Sequence, residues 1–362
     1  MKTKIIYSVC ACLTLFFLAA GCRNEGEEPQ PAEGKVTLTL NVAAQSGDSG
    51  SRADVLPKKE LIHTLRIIIF DAEGSVEHNM LLTYNSGVEE VNNRTFEVKP
   101  NERKTIYLLA NAEDLSGLDL DTDENIGLAA SQALKSSIDN YVLSESDVTD
   151  AAYLPMSSSY VYQMDSENRS FDAYVVYAAA KFTFSFENQM TDRSPIRLSS
   201  VIIYQSANQS YLMANGVGNG WISQLENGTV ITDYNIPAGA AHAPYTYTLP
   251  SKQVINYGET YELPVIYLPE SKNIDESTDE QSYSVSFAMG VGADGTDEAL
   301  RPSGLTDAQG ESLNSLFRST HVDVRVIVRS LEDIEIIHGV YAMINPWTEL
   351  SPIEGTIVEE GN

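Results

Sequence analysis

The sequence predicts an all-β protein made of two tandem β-sandwich domains, with one short helix in the first. Three observations carry that expectation. Apolar and polar residues alternate with a period of two along much of the chain, the pattern of half-buried strands. The strands so marked are short and separated by Gly, Asn, Asp and Pro turns, as packed antiparallel sheets require. The length of 362 residues, at roughly 150 per domain, provides for two such units. No block recurs at a fixed period, so a solenoid or propeller is not expected.

Val36, Leu38, Leu40 and Val42 alternate with Lys35, Thr37, Thr39 and Asn41 in the first strand. A loop of small and polar residues, 45–54, follows. Residues 65–70 read as a buried strand, closed by a turn at Asp71-Ala72-Glu73-Gly74. Residues 95–98 and 105–109 flank a Pro100-Asn101 turn and are expected to form a hairpin. Ile126, Ala130, Ala133, Leu134 and Ile138 fall at helical spacing and predict a helix over 125–141. Strands resume around Tyr153, Tyr160 and Tyr174. Residues 181–186 alternate cleanly and open a second domain; 198–205, 260–268, 283–289, 321–329 and 334–344 continue it.

The N-terminus reads as an address. Lys2 and Lys4 precede an apolar run to Ala20, too short to cross a membrane comfortably but suited to a signal peptide. It ends in Leu18-Ala19-Ala20-Gly21-Cys22, which resembles a bacterial lipoprotein box: residues 1–21 would be removed and Cys22 would carry the lipid. An ordinary signal peptide with a cysteine nearby is the alternative. The three cysteines are Cys10, Cys12 and Cys22, so one mature chain would form neither a disulfide nor a cysteine metal site. The acidic, Pro-containing stretch 23–31 reads as a tether. Its acids resemble the surface-export signal of Bacteroidales lipoproteins; a solvated spacer has the same composition.

Composition narrows the function. Against 23 basic residues stand 51 acidic ones, for a net charge of −28. Such a surface repels phosphate backbones, so nucleic acid is not an expected partner. No catalytic, cofactor-binding or metal-binding residue is nominated, and the chain is not expected to be an enzyme. Gly47-Asp48-Ser49-Gly50 matches a protease nucleophile motif but lies in a loop with no histidine placed to serve it. Gly290 to Gly295 spells G-x-G-x-x-G without room for the helix a dinucleotide needs before Pro302. Asp119-Leu120-Asp121-Thr122-Asp123 opens like a calcium loop, yet Glu124 and Ala130 stand where glycine and a bidentate glutamate belong. The acidic run 275–280 reads as a solvated loop. The five histidines show no metal-binding spacing.

Taken in order, the lipobox, the alternating strand, the linker and Leu65-Arg66-Ile67-Ile68-Ile69-Phe70-Asp71 resemble the FimA-like fimbrillins, type V pilus subunits of Bacteroidales. Residues 105–112, Leu154-Pro155-Met156-Ser157, Ala179-Ala180-Lys181-Phe182, Tyr341 and Pro346-Trp347 extend the resemblance over nearly the whole mature chain. Ala178 departs from it, standing where an arginine is expected. The resemblance implies transthyretin-like Greek-key sandwiches, export as an outer-membrane lipoprotein exposed at the surface, and assembly after an arginine-specific protease removes the first strand. Between Val42 and Leu65 the sole arginine is Arg52, so the cut would fall between Arg52 and Ala53. An exposed loop arginine with no such role is the alternative.

On this reading, 22–52 form the tether and removable first strand, 53–177 the first sandwich, and 178–362 the second with its tail. The expected partners are other pilus subunits joined head to tail by strand addition, the processing protease, and the outer membrane through the lipid. Leu350, Ile353 and Ile357 in the tail are candidate donor contacts, unless the segment is a frayed acidic terminus. The expected function is a fimbrial subunit supporting adhesion. The rival is a monomeric surface adhesin or glycan-binding module, which would need an aromatic platform, for instance Tyr245, Tyr247 and Tyr257 near Trp221.

Overall fold

The computed structural model describes residues 34–44, 56–123, 126–218, 220–226, 231–272, 282–292, 296–306, 310–342 and 355–356. Cys22, Arg52, Ala53, Leu350, Ile353 and Ile357 lie outside the described residues.

In the N-terminal half the elements are β1 (Val36–Ala44), β2 (Ile62–Phe70), β3 (Val76–Val88), β4 (Glu90–Val98), β5 (Arg103–Ala110), helix α1 (Leu128–Asp139), β6 (Val142–Ser144), β7 (Met156–Gln163) and β8 (Arg169–Tyr177). Seven of these strands hydrogen-bond in the order β3-β2-β5-β7-β8-β1-β4. The ladder between β7 and β8 is confined to Met156↔Tyr177 and Ser157↔Val176. At that narrow join the sheet folds over, so that a β3-β2-β5-β7 layer faces a β8-β1-β4 layer across one core.

Local sequence explains these layers. β1 alternates because only one of its faces meets the core. β2 is buried almost throughout, His63 and Arg66 included, because both of its faces are covered. Ile67 and Ile69 look into the sandwich, while Ile68 pairs with Tyr107 of β5 on the outer side, where α1 lies. That helix is tied down by Tyr107 Oη donating to Asp139 Oδ1 at 2.7 Å and by Val76 N donating to Ser131 Oγ at 3.0 Å.

The expected hairpin across Pro100-Asn101 does not form. β4 pairs with β1, whereas β5 is taken on both sides by β2 and β7, so the turn carries the chain from one layer to the other. Turn residues mark where a strand ends; they do not choose the next partner. Beside the crossover, Lys104 is fully buried and held by Glu77 and Glu102.

The C-terminal half contains β9 (Ala180–Asn188), β10 (Ile196–Ala207), β11 (Gln209–Tyr211), β12 (His242–Ile255), β13 (Thr260–Glu262), β14 (Ile266–Leu268), β15 (Ser271–Lys272), β16 (Ser284–Val291), β17 (Glu298–Ala299), β18 (Ser303–Gly304), β19 (Ser315–Leu316), β20 (Thr320–Val328), β21 (Ile334–Ala342) and β22 (Gly355–Thr356). One sheet runs β13-β9-β20-β21-β22, with β14 also on β9; another runs β12-β10-β16-β17, with β18 on β16. Phe182, Phe184, Phe186, Phe287, Val324 and Val326 lie in the core of this half. The strand expected over 260–268 is split at Leu263-Pro264-Val265, since proline has no N–H to give the ladder. The chain passes from one core to the other between Ala179 and Ala180.

Buried charges join the halves. Arg318 meets Glu270 at 2.5 Å and donates to the carbonyls of Leu212 and Tyr211 and to Ser157 Oγ of β7. Nearby, Ser319 N donates to Ala179 O at 2.7 Å. Ala178 is itself fully buried, and the guanidinium at this junction is supplied by Arg318 instead.

Candidate strand-exchange site

The first strand sits in the middle of its layer. β1 runs antiparallel to β4, with Leu38 opposite Phe96 and Val42 opposite Val91, and parallel to β8, with Leu38 opposite Arg169 and Val42 opposite Ala173. Its inward residues are almost completely enclosed: Val36 is 6% exposed, Leu38 0%, Leu40 0%, Val42 1% and Ala44 0%. The four positions expected from alternation therefore converge on one core, and Ala44 extends the series by one more. Ala44 carried no signal because it opens a loop of similar small residues.

The outward face carries polar contacts to both neighbours. Thr37 N donates to Asn168 Oδ1 at 2.8 Å, next to the start of β8. At Asn41 the ladder with β4 shifts register: Leu40 faces Arg94 and Val42 faces Val91, so Asn92 and Asn93 together oppose one residue. This is a β-bulge, and Asn93 adopts the left-handed conformation (φ 57°) that asparagine tolerates better than most residues. The bulge leaves the Asn93 N–H without a ladder partner on β1. Asn41 supplies one, its Oδ1 accepting from Asn93 N at 2.9 Å while its Nδ2 donates to Asp172 Oδ1 of β8 at 2.7 Å. An N–H can only donate and a carboxylate oxygen only accept, so the amide orientation follows from its neighbours.

Downstream, just ahead of β2, the chain is clamped at Glu60. Glu60 is fully buried; it meets Lys181 of β9 at 3.0 Å and accepts from the Tyr267 hydroxyl, while its backbone carbonyl accepts from Tyr177 Oη at 2.9 Å. Burial raises the Glu60 carboxyl above its usual range, against the pull of Lys181. Burial likewise lowers the Lys181 ammonium, against the pull of Glu60. Lys59 donates to Thr149 O at 3.0 Å. The clamp joins residues far apart in sequence and gave no local signal.

Other residues singled out in the sequence are dispersed. Trp221 packs edge-on to Phe317 at 5.6 Å, in a small cluster with Val176 and Tyr234. Tyr245 and Tyr247 rest against the C-terminal core from β12, and Tyr257 stands exposed with Arg193 over its ring. Trp221 thus belongs to a different packing cluster from Tyr245 and Tyr247. In the run 119–123, the carbonyls of Leu120 and Thr122 accept from Asn79 Nδ2, and Leu120 O also accepts from Arg66, so these backbone oxygens serve the fold.

Comparison with known proteins bears on the family and the fold. The family model described as major fimbrial subunit protein (FimA) matches residues 33–220, more than half of the chain, beginning just ahead of β1. No curated protein matches the chain. Among solved structures, a candidate cell-adhesion protein from Parabacteroides distasonis ATCC 8503 superposes with a TM-score of 0.54 at 13% identity, over 87% of this chain and 99% of that one. The tip fimbrial protein Mfa3 of Porphyromonas gingivalis, truncated at its C-terminus, gives a TM-score of 0.50 at 12% identity, over 85% of this chain and 99% of that one. At such identities the structural likeness concerns the fold, and the family rests on the sequence model. By that match, the chain belongs to the FimA family of major fimbrial subunit proteins.

Proposed function

We propose that this fimbrial subunit polymerises by exchange of its first strand. The observation that carries the reading is β1 itself: a central strand, buried along one whole face, whose link to β2 contains Arg52, the one arginine in that stretch. Cleavage between Arg52 and Ala53 would leave β1 held by non-covalent contacts alone. Each buried valine or leucine side chain contributes about 1.5–3 kcal/mol, so Val36, Leu38, Leu40 and Val42 together rival the whole net stability of a domain, about 5–15 kcal/mol. Loss of the strand would open both β4 and β8 as unpaired edges and bare the core. A strand from a neighbouring subunit fills such a gap. The contact is heterologous, so repeated insertion extends a filament instead of closing a ring.

In this scheme residues 1–21 direct export, Cys22 holds the lipid at the outer membrane, and 22–52 are tether and removable strand. Residues 53–177 and 178–362 are tandem sandwich domains, and Leu350, Ile353 and Ile357 are the donor contacts on the next subunit. The fimbrium at the cell surface is the resulting location. The test is digestion of the soluble, unlipidated chain with an arginine-specific protease, followed by intact-mass measurement and electron microscopy. Loss of everything through Arg52 with laddered oligomers is expected. An uncut or strictly monomeric product would overturn the reading.

A further inference from the structure

We infer that the strand groove reads one polar side chain of its occupant as well as the apolar face, and that this contact opposes slippage of the inserted strand toward the position where Ala43 would stand. The inference rests on the strand-exchange reading above and concerns the chemistry of the incoming strand. Apolar alternation alone fixes which face is inward but tolerates a slip of two residues, because every second side chain remains inward. The groove narrows that ambiguity at one point. The bulge in β4 turns the Asn93 N–H toward the strand beside it, and Asp172 of β8 presents a carboxylate oxygen from the opposite flank. Both converge on position 41, where the Asn41 amide satisfies donor and acceptor at once.

An occupant displaced by two residues would bring Thr39 or Ala43 to this point. Alanine offers neither group, so that slip leaves the backbone N–H of the bulge without its partner, whereas threonine brings a hydroxyl that can both donate and accept; the contact therefore opposes slippage in one direction. Thr37 N, bonded to Asn168 Oδ1, adds a second requirement: the residue there must have an N–H and so cannot be proline. The partner is therefore an extended strand of a second subunit with apolar residues at alternate positions. Between its third and fourth inward residues it carries a side chain that can both donate and accept, an amide or a hydroxyl. In this chain's own tail, aligning Ile353, Gly355 and Ile357 with Leu38, Leu40 and Val42 puts Thr356 at the reading position. The same alignment puts Pro352 where Thr37 stands. The tail thus meets one requirement and lacks the other, so as a donor in this register it would forgo the contact to Asn168.

The experiment uses the soluble chain cut after Arg52 and a labelled synthetic peptide of residues 35–44, whose incorporation is followed by anisotropy and by native mass. Unlabelled peptides then compete. Asn41→Val is expected to compete about tenfold less well than the native peptide, the order expected for loss of one charge-assisted hydrogen bond and one neutral one at a half-exposed position. Asn41→Thr should fall within about threefold of native and Thr39→Val should match it, since neither removes the bridging pair. Cutting the Asp172→Ala chain should shrink the Asn41→Val discrimination, which identifies the partner. Equal competition by Asn41→Val would overturn this inference and leave strand exchange standing. If no peptide enters the cut chain, strand exchange itself fails and the inference falls with it.

Discussion

Two strands occupy the same kind of place in the two halves of the molecule. β1 lies between antiparallel β4 and parallel β8; β9 lies between antiparallel β13 and β14 on one side and parallel β20 on the other. Their side chains differ. β1 fills its core with valine, leucine and alanine, whereas β9 inserts Phe182, Phe184 and Phe186, stacked 6.3 Å apart along the strand, with Phe186 edge-on to Phe287 at 5.2 Å. Their connections differ too. β9 follows from β8 through Tyr177, Ala178 and Ala179, all fully buried, while β1 joins β2 through the segment that holds Arg52. On the strand-exchange reading proposed above, a central place in a sheet is therefore not enough to make a strand exchangeable. That reading also requires a groove that accepts side chains of modest size and a link that a protease can cut.

The sharpest test of this contrast is a pair of truncations. Phe184→Ala in β9 should cost about 3–5 kcal/mol in denaturant unfolding of the chain, whether or not Arg52 has been cut. Leu40→Ala in β1 should cost about 2–5 kcal/mol in the uncut chain. After cutting it should instead appear as faster loss of the first strand, seen by mass. Equal release of β1 from both variants would break the comparison.

Next in size is the clamp that follows the link. Lys181→Met removes the cation facing fully buried Glu60 and should destabilise by about 3–5 kcal/mol in thermal or denaturant unfolding. Glu60→Gln added to Lys181→Met should recover much of the loss, because no uncompensated charge then remains. A cost confined to the single mutant would place the clamp's contribution in charge balance and not in packing.

Acid acts on the β9 side. His321 of β20 sits beside Thr183 of β9, whose hydroxyl donates to Asp323 at 2.5 Å, so the imidazole Nε2 at 2.8 Å must be the donor to Thr183 Oγ1. Burial, with the Lys181 charge adding to it, lowers the ring from 6.5 to about 3. Between those values the unfolded chain binds a proton that the folded chain refuses. Stability should therefore fall as pH drops below 6.5, by up to about 1.4 kcal/mol per pH unit from this group. His321→Gln should flatten that slope in urea titrations at successive pH values. The smallest effect belongs to Arg325 and Glu187, which pair across β20 and β9 at 2.5 Å with the arginine half exposed. Arg325→Ala should change stability by no more than about 1 kcal/mol, because solvent screens the pair.

The inward face of β1 was legible in the sequence because burial on one side imposes a period of two, and Lys181 to Phe186 was legible for the same reason. β3 and β12 were not. Val76–Val88 mixes His78, Asn79, Asn85 and Ser86 among its apolar residues, and β12 contains Pro244 and Pro250, which argue against a strand. Both strands lie at sheet edges, where one flank is unpaired and proline and polar residues are tolerated. The two short helices Ser146–Thr149 and Trp221–Glu226 were too brief to show a helical period. Of the groove, the apolar residues could be named beforehand but not Asn41, Asn93 and Asp172. Their association depends on which strands become neighbours, and outward polar residues obey no spacing rule.

The placement of β1 between two ladders also has a mechanical side. In a filament held together by strands seated in this way, a pull along the strand axis would load the β4 and β8 hydrogen bonds together, in shear. They would have to yield collectively, whereas a peeling force would break them one after another. Tension would next reach the seam between the halves, where Arg318 and Glu60 tie side chains of one half to those of the other. Such a joint would be governed by its rate of rupture more than by its equilibrium affinity. A surface appendage built from it would withstand flow until the first of its strands let go.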